Sequence, residues 1–269
     1  MEIWPLMVPH TPDLPGSWKN GSGRNILGAY VRLKQEFDQW GGDFSAVIAY
    51  TPGWQTRNIT LVDPAANHRS SEDFTGFGHH YRYDPPGSPD LSARIIDGGK
   101  RTGMPAAAGI HGVDHAVTIP LFFLLPDGET PVVPVSQSLS GVRQAALLGE
   151  TLRNLDLPGF GRILLLMSGV WSQNPKEMAM GMNDRTIDGW ADRILHSLIK
   201  GPDPDWSVLP DLTREVLDRM DPPGRMRELH LLKGLGAKNA KLLESERAPG
   251  ILQVLISFDP IVPSSSHRF

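Results

Sequence analysis

The sequence predicts an α/β fold, a single domain over residues 1–269 with a central, mostly parallel or mixed sheet flanked by helices. Three observations point there. Short apolar runs of strand length alternate with longer stretches whose apolar residues recur at helical spacing. A chain of 269 residues, 40% hydrophobic and 21% charged, can bury a substantial core and stays within the size that α/β proteins use as one unit. Its 28 glycines and 24 prolines supply the turns that many short elements require.

In chain order, residues 3–8 form a short apolar strand ending at Pro9-His10. Residues 25–40 place Ile26, Tyr30, Leu33 and Phe37 on one helical stripe. The run AVIAY at 46–50, between Gly-Gly and Pro-Gly, is a buried-type strand. Residues 117–125 (VTIPLFFLL) are apolar throughout, but Pro120 would remove a ladder donor, so a buried helix or a helix-like turn region is expected rather than a central strand. A proline-interrupted strand follows at 131–136, then a helix at 140–154 with Val142, Ala145, Ala146 and Leu152 at helical spacing. RILLLM at 162–167 is a further buried strand. Residues 186–199 carry Ile187, Trp190, Ala191, Ile194 and Leu198 on one stripe, and helices are expected at 212–220 and 228–243 before a last strand at 251–258.

Composition narrows the function. A formal net charge of −4 gives no basic excess to drive binding to phosphate backbones, so nucleic acid is excluded as a partner. The absence of cysteine removes disulfides, thiolate metal sites and thiol nucleophiles. Any metal must use His, carboxylate and water, a donor set that suits Fe(II), Mn, Zn or Ca. The opening residues lack a basic leader followed by an apolar run, and no stretch approaches the length of a membrane span. A cytoplasmic location without membrane attachment is the expectation.

In open α/β sheets chemistry gathers at loops beyond the carboxyl ends of strands. These loops are 10–16, 51–57, 136–138 and 168–174. His10, directly after a strand and held between prolines, is placed as a metal ligand or as a loop histidine bonded to backbone. In HGVDHAVTIP, His111 and His115 flank Asp114, a carboxylate that either orients an imidazole or caps a helix. The pair His79-His80 lies in an aromatic, glycine-rich stretch that reads as a surface or subunit-contact loop.

The run Gly112-Val113-Asp114-His115, then Ile119-Pro120-Leu121, Pro131-Val132-Val133 and Ser136, resembles the signature of the class III extradiol dioxygenase superfamily, with His10 resembling its first metal histidine. The resemblance implies Fe(II) held by two His and one Glu, with an aromatic substrate and dioxygen in adjacent open positions. It also exposes three departures. Gly53 stands where the second metal histidine should follow the AVIAY strand. Gln173 replaces a general acid/base histidine, and an amide cannot exchange a proton near neutral pH. Asn239 best matches the glutamate ligand, on a helix expected before the last strand, with Glu244 and Glu246 as alternatives.

Retained His10 and His115 are then relics or structural contacts. This pattern resembles the non-catalytic α subunits of 2-aminophenol 1,6-dioxygenases. It implies a homologous catalytic β subunit in an α2β2 assembly, with Fe(II), the small aromatic substrate and O2 at the partner's site. The complex would open a 2-aminophenol ring to an aminomuconate semialdehyde. Two other readings stay open. One is a self-sufficient ring-cleaving dioxygenase using His10, His68 or His80, and Glu244. The other is a non-enzymatic binding protein like the Memo proteins.

Overall fold

The computed structural model describes residues 1–40, 43–71, 82–181 and 185–263. In chain order the elements are β1 (Glu2–Val8), α1 (Leu14–Lys19), α2 (Asn25–Gln39), β2 (Phe44–Thr56), β3 (Thr60–Val62), α3 (Pro89–Thr102), β4 (Ala106–Ala108), α4 (His115–Leu124) and β5 (Val132–Ser138). Then come α5 (Arg143–Arg153), β6 (Arg162–Ser168), β7 (Val170–Gln173), α6 (Pro175–Met180), α7 (Arg185–Ile199), a 3-10 turn (Trp206–Asp211), α8 (Arg214–Met220), α9 (Arg227–Leu235), β8 (Lys241–Ala248) and β9 (Ile251–Ser257).

The nine strands among the described residues join one sheet in the order β4-β3-β5-β2-β6-β1-β9-β7, with β8 paired to β9. The middle of the sheet, β5-β2-β6-β1, is parallel, and β9 adds antiparallel to β1. The mixed sheet and its flanking helices are as the sequence predicts. Strand side chains alternate between two apolar layers. Ile3, Met7, Ile48, Leu165 and Met167 face one layer, where α3, α5, α7, α8 and α9 pack. Leu6, Val8, Val47, Leu164 and Leu166 face the other, where α1, α2 and α4 pack. Strands buried on both faces need no polar alternation, which is why they read as continuous apolar runs.

Helix α4 accommodates Pro120 because nearly all of its residues are buried and hold it by packing. Helices α5 and α9 touch backbone to backbone. A Cβ at Gly149 would lie 2.1 Å from the Leu231 carbonyl oxygen, and one at Gly234 would lie 2.1 Å from that of Ala146.

One expectation is corrected. The helix foreseen at 228–243 ends at Leu235, where Gly236 adopts a left-handed conformation (φ 77°) and its N–H bonds Leu232 and Lys233 carbonyls. Residues 241–248 instead form β8, an antiparallel partner to β9 reached across Gly250. Asn239, Glu244 and Glu246 therefore lie on a turn and a strand, not on a helix. His79, His80 and the final residues 264–269 lie outside the described residues. No helix among the described residues is long and apolar enough to cross a membrane.

Candidate functional site

The parallel register of β1 and β6 pairs Val8 with Ser168. His10, two residues past the end of β1, thereby reaches the end of β6. Its Nε2 lies 2.8 Å from Ser168 Oγ in a buried contact. Tyr30 from α2 donates its hydroxyl to the Pro9 carbonyl and fixes the loop. Thr11 donates to Gln253 on β9 at 3.2 Å. The His115 ring, at the first turn of α4, stands 5.4 Å from that of His10. Sequence reasoning anticipated both histidines but not Ser168, whose signal is its matching position at the end of the adjacent strand.

Next to this pair, β2 continues past Tyr50 but leaves its ladder with β5 between Thr51 and Gln55. The excursion carries Gly53 and Trp54. Thr51 Oγ1 donates to Asp114 Oδ2 at 2.7 Å, and the Gly53 N–H donates to Thr51 Oγ1 at 3.1 Å. Asp114 is the N-cap of α4, its Oδ1 accepting from the Ala116 N–H at 2.9 Å. Its Oδ2 also meets His111 Nε2 at 2.9 Å. The His111 ring stacks on Trp54, centroids 4.9 Å apart and planes 2° from parallel. Of the two roles open to Asp114, capping a helix and orienting an imidazole, the structure displays both. Burial would raise the Asp114 carboxyl, but hydrogen bonds from His111 and Thr51, with positive charge from the nearby histidines, hold it below the usual carboxylate range. Behind it, Asp63 Oδ2 accepts the backbone N–H groups of His111 and Gly112 at 2.7 and 2.9 Å and sets the loop.

The space beside Gly53 is filled. A Cβ built there would lie 2.4 Å from Asp114 Oδ2 and 2.7 Å from its Cγ. Asp114 is held by three partners, so a larger residue at 53 requires that network to break. The expected glutamate positions do not converge on His10. Asn239, in a left-handed turn (φ 50°), bonds Asp259 and lines a cleft with Trp4 and Pro5, at the opposite end of β1. Glu244 faces Arg32 at 3.9 Å. Glu246 pairs with Arg24 and approaches the Ile26 N–H, where it serves the start of α2, a helix without a side-chain cap of its own.

His68 is fully enclosed, its Nε2 2.9 Å from the Val132 carbonyl and its Nδ1 3.7 Å from Asp63. It is built into the core rather than aimed at His10. Gln173 is exposed at the end of β7, paired with Ile251. No three His, Asp or Glu side chains gather to hold an ion among the described residues. The donor set around His10 thus does not fit an iron centre held by two His and one Glu. His10 meets Ser168, position 53 offers no side chain, and Glu244 and Glu246 are engaged with arginines.

A second buried polar pair lies under the end of β5. Gln137 Nε2 donates to Glu228 Oε1 at 2.8 Å. Burial raises the Glu228 carboxyl above its usual range, against smaller opposing effects from hydrogen bonds and Arg227.

Comparison with known proteins agrees with the architecture. Residues 6–255 match the family described as the catalytic LigB subunit of aromatic ring-opening dioxygenase. Two curated relatives are 4,5-DOPA dioxygenases: one from Beta vulgaris, 29% identical over 139 residues (46% of this chain, 47% of the relative), and one from Mirabilis jalapa, 22% identical over 125 residues (44% and 47%). The matched part spans about half the length of each. A crystal structure of an uncharacterised Escherichia coli K12 protein shares the fold, with a TM-score of 0.70 and 17% identity over 95% of this chain and 99% of that one. The family match over residues 6–255 supports the superfamily resemblance carried by His10 and the Asp114–Ser136 segment. The chain belongs to the family of the catalytic LigB subunit of aromatic ring-opening dioxygenases.

Proposed function

We propose that this chain is a metal-free, structural α subunit of a LigB-type extradiol dioxygenase. Fe(II) and catalysis would reside in a homologous β subunit of an α2β2 assembly that opens 2-aminophenol or a substituted 2-aminophenol. The observation that carries this reading is at Gly53, where the Asp114 carboxylate fills the space a ligating side chain would enter. A residue merely lost from a working site leaves a gap. Here the gap is occupied by a carboxylate with Thr51, His111 and a helix start as partners. Buried groups so satisfied stabilise a fixed shape and give an iron ion no vacant donors. A homologous pair related by pseudo-twofold symmetry would reuse one self-complementary surface.

The test is co-purification and turnover. The chain is produced alone and together with a homologue carrying the full His, His, Glu set, and aerobic cleavage of 2-aminophenol is followed. Activity in the pair that survives His10→Ala in this chain is the expected result. The similarity to 4,5-DOPA dioxygenases favours a second reading, a self-sufficient enzyme acting on a catechol or aminophenol. Cleavage by the isolated chain, abolished by His10→Ala, would establish that reading instead.

A further inference from the structure

At the amino-terminal end of β1, roughly 20 Å along the strand from His10, a cleft of about 460 Å3 opens between α2, the start of β1 and the ends of β8 and β9. Its size falls within the range of small-molecule sites. One wall is a run of aromatic rings. Trp4 and Trp40 have centroids 4.3 Å apart, and Phe37 lies 5.2 Å from Trp40. Both indoles are only half-buried, so ring surface that a closed core would cover lines open space instead.

The rim carries charge of both signs. Lys241 and Glu36 line the same cleft, and neither side chain has an ion-pair partner among the described residues. Asp259, a third charge, accepts a hydrogen bond from Asn239. Arg162 already holds a cation 5.9 Å from the Trp4 ring, which leaves the half-buried Trp40 as the stacking surface, with the buried Phe37 packed against it.

We propose that this cleft binds an aromatic zwitterion, a ring carrying both an ammonium and a carboxylate as an aromatic α-amino acid does. The ring stacks on Trp40, the carboxylate meets Lys241, and the ammonium meets Glu36. An uncharged ring would desolvate both rim charges without pairing them. A simple anion would face Glu36 and Asp259, and a simple cation would face Lys241. A zwitterion pairs both signs at once. The site is separate from the His10 region and holds whether or not this chain is a catalytic subunit.

The experiment is calorimetric titration of the full chain with L-tryptophan and L-phenylalanine. The control probes are phenethylamine, 3-phenylpropionate, glycine and neutral benzyl alcohol. Saturable single-site binding of the amino acids is expected, with each singly charged probe about two- to fivefold weaker, as exposed ion pairs imply. Glycine and benzyl alcohol should bind more weakly still. Lys241→Gln should weaken the amino acids by the same two- to fivefold and leave phenethylamine no weaker. Glu36→Gln should do the reverse, weakening the amino acids and sparing 3-phenylpropionate. Trp40→Ala should cost roughly tenfold. Both charge variants alter solvent-facing groups and preserve the fold, so the test does not depend on Trp40→Ala. No saturable binding of either amino acid, benzyl alcohol binding as tightly as phenylalanine, or amino-acid affinity unchanged in both charge variants would each overturn the proposal.

Discussion

At position 53 a single missing side chain and a single carboxylate are two halves of one arrangement. Gly53 is open to solvent, yet its Cβ direction points into Asp114. Gly53→Ala should therefore destabilise the chain by about 1–3 kcal/mol, the usual cost of overpacking. Asp114→Ala should cost about 2 kcal/mol or more, because it removes the α4 cap and leaves Thr51 and His111 without their partner. In the double variant the clash is gone, so its loss should be smaller than the sum of the two; urea denaturation of all four proteins measures this coupling. Strict additivity would mean that Gly53 and Asp114 do not share the space. Glu228 gives a pH prediction of definite sign. Its folded carboxyl is raised by burial above the ordinary 4.5. Its contribution is fully present below that ordinary value, where the carboxyl is neutral in both states. It is lost as pH rises through the raised value, because the unfolded chain releases its proton first. Glu228→Gln keeps the bond with Gln137 and cannot ionise. Its midpoint of thermal unfolding should rise progressively relative to the parent as pH climbs above the ordinary 4.5, and a constant difference would contradict the assignment.

Among the elements, the α5–α9 contact is the least forgiving. Gly149→Ala should force the helices apart and lower stability by about 3 kcal/mol, at the upper end of overpacking costs, read as a drop in the denaturation midpoint. An alanine tolerated there would mean that the backbones are not in contact. Elements with a clear apolar period were legible in the sequence: β1, β2, β6, β9, α2 and α7 fall where the pattern places them. Helix α3 was missed although its signals are present. Ser88 caps it by accepting from the Leu91 N–H, Pro89 opens it, and Gly103 closes it in a left-handed conformation. Strand β8 was misread because LLESER has no strong period of either kind. Its strand state comes from pairing with β9, a tertiary cause that local sequence does not carry. The candidate site was half legible for the same reason. His10 and His115 follow from strand and helix boundaries. The contacts of His10 with Ser168 and of Gly53 with Asp114 depend on strand register and on a three-residue excursion of β2.

For the whole molecule, one mixed sheet between two apolar layers carries the family architecture across nearly the full chain. The end of that sheet where His10 lies is knit by hydrogen bonds between loops, rather than left open around a set of converging donors. The opposite end bears an aromatic cleft with its own charges. A subunit that lends shape to a partner needs the fold and does not need the iron. The measurement that tests this most directly is the iron content of the purified chain after anaerobic reconstitution with Fe(II), alone and in complex with an intact homologue. Iron in proportion to the partner chains only is the expected result, with none retained by this chain on its own. Equimolar iron in the isolated chain, lost in His10→Ala, would contradict it.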